Sequence, residues 1–304
     1  MKKTLISLGI FLVLCSIIYI VLLFLHSKYL PRVLGGNVFK YSQTYDYSLS
    51  RLHEADTTND IDVLILGSSH AYRGYDVRLF AKRGLKALNL GTSAQTLVQT
   101  NYLVNKYIDQ LKPEIVILDI YPSLLDNDGL ESTLQLLSIA QPDRSLVQMA
   151  LDSYDIRAYN TLLYNSINDE FDFLKKDLKD QPNKENRYVK GGFVENSTIG
   201  SLYKYKKNKI VISAEQRKSL GELVNAFKKR DIKYYLFQAP APETKYESTT
   251  NNEAIDSTLA TYGEYYNIND EYFLNDSCFM DDSHINYSGV KIYNKYVLDK
   301  VESR

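Results

Sequence analysis

The sequence predicts an α/β domain with a central parallel sheet, preceded by one transmembrane helix. Short apolar segments, typical of buried parallel strands, alternate with longer amphipathic segments that are typical of helices. This alternation implies right-handed crossovers, which place helices on both faces of the sheet. A long uncharged apolar run near residue 1 predicts the membrane helix.

Residues 1–32 form the predicted membrane anchor. Residues 4–25 are almost wholly apolar, and 22 residues of helix rise roughly 33 Å, enough to cross a hydrocarbon core of about 30 Å. The main alternative is a cleaved signal peptide, whose apolar region is usually about 7–15 residues long and ends at a small-residue cleavage site. Residues 26–32 contain no such site, and the bulky Leu14 before Cys15 is a poor match to a lipoprotein cleavage site.

The basic residues around the apolar run set its expected orientation. Lys2 and Lys3 favour a cytoplasmic N-terminus, although Lys28 and Arg32 nearly balance them. For a short tail before a large domain, we expect a single-pass protein of the cytoplasmic membrane with its C-terminal domain outside the cytoplasm. Cys278 is then the one cysteine of the exported domain, so no intramolecular disulfide is expected.

The charge distribution argues against nucleic acid as a partner. The 304 residues carry 36 basic and 37 acidic side chains, and four of the basic ones lie in residues 1–32, which contain no acid. The remainder has a net charge of −5, whereas a general nucleic-acid-binding surface is basic. The sequence has no Walker A loop, dinucleotide-binding glycine pattern or Cys/His cluster, so neither a cofactor nor a metal is expected.

The secondary-structure elements are predicted in order along the chain. Residues 33–60 are polar, which predicts a connector, and residues 61–304 form the predicted domain. The predicted strands are apolar or β-branched runs at residues 61–66, 85–90, 114–120, 233–238 and, as a short strand, 271–274. The predicted helices cover residues 75–83, 93–111, 214–229, 252–266 and 286–301.

The alternation is interrupted by a predicted insertion at about residues 123–210. Residues 131–178 are mostly helical in character, whereas residues 179–209 are polar, rich in Lys and Asn, and contain the pair Gly191-Gly192. We expect this insertion to pass over the active face of the sheet, with room for a short hairpin, and to shape the substrate cleft.

The first chemistry-bearing motif is Gly67-Ser-Ser-His70, which follows the predicted strand at residues 61–66. It therefore lies at the carboxyl edge of the sheet, where open α/β folds build their sites. Gly67 allows a tight turn, and a serine just beyond it can project its hydroxyl into the crevice while its own N–H points at a developing oxyanion. The alternative is a polar turn whose serines cap the next helix.

The second motif, Asp281-Asp-Ser-His284, places a carboxylate three residues before a histidine. Residues at this spacing lie on one face of a helical turn, so Asp281 can hold one imidazole nitrogen of His284 while the other faces a serine. The other three histidines lie beside the membrane run, in the connector, or without an acid at this spacing. The alternative is a surface acidic turn in which Asp282 or Ser283 caps a helix.

Taken together and in this order, the motifs resemble those of the SGNH (GDSL-type) hydrolase superfamily. Gly67-Ser-Ser-His70 resembles its nucleophile block, Asp281-Asp-Ser-His284 resembles its D-x-x-H block, and Asn89-Leu-Gly91 resembles its glycine block. The resemblance covers roughly residues 60–300. It implies a flavodoxin-like three-layer sandwich, a catalytic triad of Ser69, His284 and Asp281, and an oxyanion hole formed by the N–H groups of Ser69 and Gly91.

The sequence departs from the family pattern in three ways. Ser68 stands where the name-giving motif has aspartate, and His70 stands where it has leucine. We expect His70 to bind substrate, to replace a missing donor or to make a structural hydrogen bond. The asparagine block expected after the third strand is absent. No asparagine lies between the end of that predicted strand at residue 120 and Asn127. One oxyanion donor is then missing or supplied by another group, and losing one donor can cost on the order of 10²–10³ in rate.

Gly-Ser-Ser-His combined with an N-terminal span resembles the branch of this superfamily that works beside membrane-bound O-acyltransferases in D-alanylation and polysaccharide O-acetylation. This resemblance implies a serine esterase or O-acyltransferase acting on acyl, especially acetyl, groups of cell-envelope glycans. Two alternatives stay open. One is a non-catalytic accessory or glycan-binding subunit of an O-acyltransferase complex, and the other is a structural envelope protein in which Ser69 and His284 lie far apart.

Overall fold

The structure, a computed structural model, describes residues 2–29, 36–41, 46–171, 179–181, 183–201 and 205–302. The chain divides into two compact units, which are unit 1 (Met1–Ser42 and Thr133–Leu178) and unit 2 (Gln43–Ser132 and Lys179–Arg304). The predicted anchor–connector boundary at residues 32 and 33, and the parts of the predicted insertion at residues 172–178, 182 and 202–204, lie outside the described residues.

Helices and strands alternate as the sequence predicts. The α-helices are α1 (Lys2–Tyr29), α2 (Ser48–Thr57), α3 (Ser69–Gly74), α4 (Val77–Ala81), α5 (Leu97–Leu111), α6 (Leu130–Ile139), α7 (Arg144–Asp152), α8 (Ile156–Phe171), α9 (Ala214–Lys228), α10 (Glu243–Tyr246), α11 (Asn252–Ala260) and α12 (Tyr287–Glu302). The strands are β1 (Val63–Leu66), β2 (Ala87–Asn89), β3 (Ile115–Asp119), β4 (Asn186–Val189), β5 (Phe193–Asn196), β6 (Lys233–Gln238) and β7 (Glu264–Asn267).

Unit 2 is built on a five-stranded parallel sheet with the strand order β2-β1-β3-β6-β7. This is the flavodoxin-like order, in which the chain reverses direction across the sheet between β2 and β3. All four residues of β1 are fully buried, as expected of a strand covered by helices on both faces. The predicted α/β sandwich with a parallel sheet is therefore confirmed.

The strand register brings the ends of the central strands to one edge of the sheet. Leu66 at the end of β1 pairs with Leu118, and Asp119 at the end of β3 pairs with Phe237 in β6. The loops that follow β1, β2 and β3 therefore start side by side. These loops contain both the Gly67 turn and the segment around Gly91 that the sequence singled out.

The last part of the predicted alternation is wrong in detail. The predicted helix at residues 252–266 ends as α11 at Ala260, the fifth strand is β7 at Glu264–Asn267, and residues 271–274 form no strand. Gly263 lies in the turn between α11 and β7, where a Cβ atom would lie 2.5 Å from the Tyr234 ring of β6. The four residues of β7, Glu-Tyr-Tyr-Asn, are only partly buried at the edge of the sheet. The segment therefore lacks the apolar run by which the other strands of this sheet were predicted.

One further difference from the prediction, the helix α2, and one feature that the prediction allowed for, a short hairpin, lie in the predicted connector and insertion. The predicted connector contains α2, which buries Leu49, Leu52 and Ala55 on one face. The segment as a whole is polar in composition, so these three apolar residues did not predict a helix. The polar part of the predicted insertion contains the antiparallel hairpin β4–β5. Gly191 and Gly192 both have positive φ in its turn, and the Asn89 N–H of β2 donates to the Gly191 carbonyl at 2.8 Å.

Unit 1 contains α1, α7 and α8. The most apolar 18-residue stretch within residues 2–27 of α1 has a mean hydropathy of 3.0, and the helix is long and apolar enough to cross a membrane. Near its C-terminal end α1 packs against α8, where the Phe24 and Tyr164 rings stack with their centroids 4.6 Å apart. The greater part of α1 is exposed.

Candidate active site

A tight turn between β1 and α3 presents the candidate nucleophile. Gly67 has φ +144°, a conformation that L side chains rarely adopt, and a Cβ atom there would lie 2.6 Å from the Asp119 carbonyl oxygen. Glycine is thus the residue that lets β1 turn this closely over the end of β3. Ser68 caps α3 by accepting from the His70 N–H, and Ser69 begins the helix.

Ser69, His284 and Asp281 form a hydrogen-bonded series at this turn. The Ser69 Oγ atom lies 2.7 Å from His284 Nε2, although the two residues are 215 positions apart in the chain. On the other side of the ring, His284 Nδ1 lies 2.9 Å from Asp281 Oδ2 and 3.0 Å from Oδ1. A carboxylate only accepts, so Nδ1 carries the proton and Nε2 is left to accept from the Ser69 hydroxyl.

The Asp281 carboxylate is held in its charged form. Burial alone would raise its pKa, but hydrogen bonds from the His284 ring and from the backbone N–H groups of Ser283 and His284 outweigh that cost and lower the pKa below its ordinary value. Asp281 therefore keeps a negative charge next to the base and fixes the orientation of the His284 ring.

A short closed turn holds these two residues in place. Phe279 and Ile285 form an antiparallel bridge around it, and the Met280 N–H donates to the His284 carbonyl at 2.9 Å. The side-chain NH2 group of Asn286 also donates to the Ser277 carbonyl at 2.7 Å, which ties the end of the turn to its start. The three-residue spacing thus brings Asp281 and His284 together in a bridged turn that precedes α12.

His70 is buried against the His284 ring and uses both of its nitrogens internally. Its Nε2 lies 2.9 Å from the Ser283 carbonyl, and its Nδ1 lies 3.2 Å from the Ser68 Oγ atom. Burial, followed by the neighbouring His284 and Lys245, lowers its pKa well below the ordinary value. The ring is therefore neutral, with Nε2 donating and Nδ1 accepting. This geometry matches the structural hydrogen bond left open by the sequence and leaves no ring nitrogen for substrate.

The two predicted oxyanion donors differ in their surroundings. Ser69 is the first residue of α3, where backbone N–H groups have no carbonyl partner within the helix. The Gly91 N–H, in contrast, donates to the Asn89 side-chain oxygen at 3.0 Å. Gly91 is also tightly packed, because a Cβ atom there would lie 2.9 Å from the Ser68 carbonyl oxygen. The oxyanion role of Gly91 stays a prediction that requires this N–H to be shared with substrate.

A buried carboxyl lies directly behind the nucleophile turn. Asp119 is 3% exposed, and its Oδ2 accepts from the Tyr75 hydroxyl at 2.9 Å, which in turn lies 2.8 Å from the Tyr293 hydroxyl. Burial raises the pKa of Asp119 to about 7, despite the opposing effect of the Tyr75 hydrogen bond. Among the described residues, Asp119 Oδ1 has no hydrogen-bond partner. The sequence reasoning missed this network.

Lys245 and Tyr121 also adjoin the site and were not singled out from the sequence. The Tyr121 ring stacks on His70 with centroids 3.8 Å apart. Lys245 Nζ lies 5.6 Å from the centre of the Tyr121 ring and 3.9 Å from Asp282 Oδ2. Tyr121 follows β3 at the sheet edge, so its position was a usable signal, whereas Lys245 on the short helix α10 gave none.

The structure brings Ser69, His284 and Asp281 together and places His70 and Gly91 beside them. The structural-envelope alternative required Ser69 and His284 to lie far apart, and their 2.7 Å separation contradicts it. The chain following β3 is Ile120-Tyr-Pro122, and proline has no N–H to donate. Pro122 therefore cannot supply a backbone oxyanion donor after β3.

The chain was compared with known proteins. No family model matches it, and no curated protein matches it. Similar solved structures include a GDSL-like lipase from Bacteroides thetaiotaomicron, with 12% identity, a TM-score of 0.42, and coverage of 87% of this chain and 99% of that one. A protein from Bacteroides fragilis provisionally assigned as an acylhydrolase has 11% identity, a TM-score of 0.42, and coverage of 87% and 98%. A protein from Streptococcus pneumoniae provisionally assigned as a platelet activating factor has 8% identity, a TM-score of 0.45, and coverage of 84% and 92%.

Proposed function

We propose that the chain is a membrane-anchored serine esterase or O-acyltransferase. The observation that carries this proposal is the hydrogen-bonded order Ser69, His284, Asp281, with 2.7 Å between Ser69 Oγ and His284 Nε2. A nucleophile, a base within reach of it and a carboxylate that orients the base are the groups that covalent acyl chemistry needs. No other described histidine has a carboxylate hydrogen-bonded on one nitrogen and a serine hydroxyl on the other.

In the proposed first half-reaction, Ser69 Oγ attacks the carbonyl carbon of an ester and His284 Nε2 takes the hydroxyl proton. The carbonyl oxygen becomes an oxyanion, which the Ser69 N–H stabilises together with the Gly91 N–H if that group is released by Asn89. The tetrahedral intermediate then collapses. Its C–O bond to the alcohol breaks, the alcohol leaves with the proton from His284, and an acyl ester remains on Ser69.

In the second half-reaction an acceptor hydroxyl attacks the acyl-enzyme. His284 removes the acceptor's proton, the new tetrahedral intermediate collapses, and the proton returns to Ser69 Oγ. Water as the acceptor gives an esterase, and a sugar hydroxyl gives an O-acyltransferase. The two activities share every group described above, so they differ in what the cleft admits as the acceptor.

The proposed setting is the outer face of the cytoplasmic membrane. Helix α1 would be the single-pass anchor, with the α/β unit outside the cytoplasm. The proposed substrates are acyl, especially acetyl, esters on cell-envelope glycans, and the candidate protein partner is a membrane-bound O-acyltransferase. Support for these finer assignments comes from the resemblance of Gly67-Ser-Ser-His70 and the N-terminal span to proteins of that setting.

The second candidate is a non-catalytic accessory or glycan-binding subunit of an O-acyltransferase complex. Two observations favour it over a complete enzyme. Residues 120–126, directly after β3, contain no asparagine to serve as a donor, and the Gly91 N–H is already bonded to Asn89. The intact series of Ser69, His284 and Asp281 opposes it.

Hydrolysis of acetylated sugars by the purified full-length protein in detergent distinguishes the two candidates. We expect acetate release by the native protein and its loss in Ser69→Ala. Ser257→Ala is the matched control, because Ser257 is an exposed serine on α11. Activity that survives in Ser69→Ala would contradict the serine mechanism. A native protein that binds acetylated glycan but neither releases acetate nor transfers the acetyl group to an added acceptor sugar would favour the accessory role.

A further inference from the structure

The turn between α7 and α8 carries a cluster of exposed apolar side chains in unit 1. Leu151, Tyr154 and Ile156 are 52%, 88% and 57% exposed, and Val147, one helical turn before Leu151, is 39% exposed. We call these four residues the α7–α8 patch. Scattered apolar residues are normal on a protein surface, whereas a contiguous apolar group indicates an interaction site.

The direction of α8 relative to α1 shows where this patch points. The Tyr19 hydroxyl donates to the Asn160 side chain, and the Phe24 ring stacks on Tyr164. Contacts that advance from residue 19 to 24 on α1 advance from residue 160 to 164 on α8, so the two helices run parallel. The start of α8 at Ile156 therefore points toward the N-terminal, apolar part of α1.

The level of the patch follows from the rise of the helices. With Lys2 and Lys3 at the cytoplasmic boundary, about 20 residues of α1 fill the hydrocarbon core, which places the outer boundary near Leu23. Leu23 is also where α1 becomes buried in unit 1, at 5% exposure. Ile156 lies roughly 6 Å further along α8 than Asn160, toward the membrane side. Asn160 is level with Tyr19, about 6 Å on the cytoplasmic side of Leu23, so the start of α8 and the patch lie roughly 12 Å inside the outer boundary, within the outer leaflet.

The backbone at the tip of the turn supports a role for the exposed ring. Tyr154 has φ +50°, a left-handed conformation that is uncommon for residues other than glycine and asparagine. A tyrosine that is 88% exposed contributes little packing to offset this strain within the chain. Tyrosine is, however, enriched at membrane–water interfaces, where its ring lies among acyl chains and its hydroxyl stays hydrated.

The two charged residues beside the patch, Asp155 and Arg157, form an ion pair that is compatible with contact between the patch and lipid. Arg157 donates from Nε and Nη2 to the two carboxylate oxygens of Asp155, at 2.9 and 2.8 Å. This bidentate pair neutralises both charges locally. The apolar stem of Arg157 can also lie along acyl chains while its guanidinium stays paired with Asp155.

We infer that the α7–α8 patch inserts into the outer leaflet of the same bilayer that α1 spans. Its partner is the acyl-chain region of that leaflet, beneath the headgroups. The inference rests on the proposed membrane anchor and adds a second, monotopic attachment. Unit 1 then has two fixed points in the bilayer, α1 and the tip of α8, rather than a single helix about which it could swivel.

The absence of tryptophan from the sequence allows a direct test with single-tryptophan reporters. Full-length protein carrying Tyr154→Trp is reconstituted into phosphatidylcholine vesicles with and without brominated acyl chains, which quench tryptophan on contact. Leu14→Trp reports the anchor, and Tyr272→Trp, at a 42% exposed tyrosine of unit 2, is the control outside the membrane. All three positions are exposed, so the substitutions leave the core intact.

We expect brominated lipid to quench both Leu14→Trp and Tyr154→Trp severalfold, with a blue-shifted emission for Tyr154→Trp, and to leave Tyr272→Trp unquenched. If Leu14→Trp is quenched while Tyr154→Trp behaves like Tyr272→Trp, the inference is wrong and the anchor stands. If neither Leu14→Trp nor Tyr154→Trp is quenched, both the anchor and the inference are wrong. Ile156→Trp provides a second reporter on the same patch and should follow Tyr154→Trp.

Discussion

The His70 ring stacks on the His284 ring, with the two centroids 4.7 Å apart and the planes inclined by 28°. His70 also donates to the carbonyl of Ser283, the residue directly before the candidate base. The buried neutral His70 ring thus packs against His284 without placing a positive charge beside it. The relationship suggests a positioning role for His70, through His284, rather than contact with substrate.

Substitution of His70 separates these two roles. In His70→Phe the ring remains for stacking but both hydrogen bonds are lost, so we expect kcat to fall about tenfold with KM little changed, since one positioning hydrogen bond contributes about 1–1.5 kcal/mol. Steady-state kinetics on an acetylated sugar give both constants. A raised KM with unchanged kcat would instead support the substrate-binding role that the sequence suggested.

The Asp281 carboxylate should be needed for catalysis and its neighbour Asp282 should not. In Asp281→Asn the side-chain amide can donate to His284 Nδ1, which places the imidazole proton on Nε2, and the negative charge that stabilises the protonated ring is lost. We therefore expect kcat to fall by roughly 10³–10⁴. Asp282→Asn is the matched control. The Asp282 carboxylate lies 3.9 Å from Lys245 Nζ and makes no described contact with Ser69, His284 or Asp281. Equal losses in the two variants would show that local charge, rather than orientation of the base, matters here.

Two glycines with positive φ test the geometry of the nucleophile turn. Gly67→Ala places a Cβ atom 2.6 Å from the Asp119 carbonyl oxygen, whereas Gly84→Ala, at φ +80°, meets no atom within 4 Å. Backbone strain alone costs about 1–2 kcal/mol, so we expect Gly84→Ala to lower the melting temperature modestly and keep activity. Gly67→Ala should lower it further and abolish activity. Equal effects of the two substitutions would mean that the close approach of β1 and β3 is not required.

The raised pKa of Asp119, about 7, makes stability depend on pH. Between about pH 4, where an unfolded aspartate loses its proton, and about pH 7, the folded protein keeps a proton that the unfolded chain has lost. The free energy of unfolding therefore decreases as pH rises through this window, by at most about 4 kcal/mol for a buried carboxyl. Asp119→Asn still accepts from Tyr75 but cannot ionise, so this decrease should be absent.

Urea denaturation of both proteins at pH 5 and pH 8 measures the effect. We expect Asp119→Asn to gain stability relative to the native protein on going from pH 5 to pH 8. An identical change for the two proteins would show that Asp119 keeps its ordinary pKa, with water reaching its unpaired oxygen.

The sequence predicted the parallel sheet because β1, β3 and β6 are apolar runs that need no tertiary context to be recognised. It missed β7, a tyrosine-rich edge strand whose pairing with β6 exists only in the folded sheet. It also missed α2, since the buried face of that helix contains only three apolar residues in an otherwise polar segment. Local patterns thus sufficed for the centre of the sheet and failed where burial depends on distant neighbours.

The candidate site shows the same division. Ser69, Asp281 and His284 were predictable because their motifs carry a chemical spacing and occur in a recognisable order. The stacking of His70 on His284, the Asp119–Tyr75–Tyr293 network and the approach of Lys245 join residues from separate elements. The local sequence gives no signal for these contacts between elements, so the structure was needed to find them.

The reactivity of Ser69 tests the central claim most directly. Purified full-length protein is treated with a fluorophosphonate, which phosphonylates serines activated by a neighbouring base, and the adduct is located by peptide mass spectrometry. We predict one adduct on Ser69, lost in Ser69→Ala, strongly slowed in His284→Ala and unchanged in Ser257→Ala. A native protein that stays unlabelled at Ser69, or a His284→Ala variant labelled as fast as the native protein, would contradict a nucleophile activated by His284.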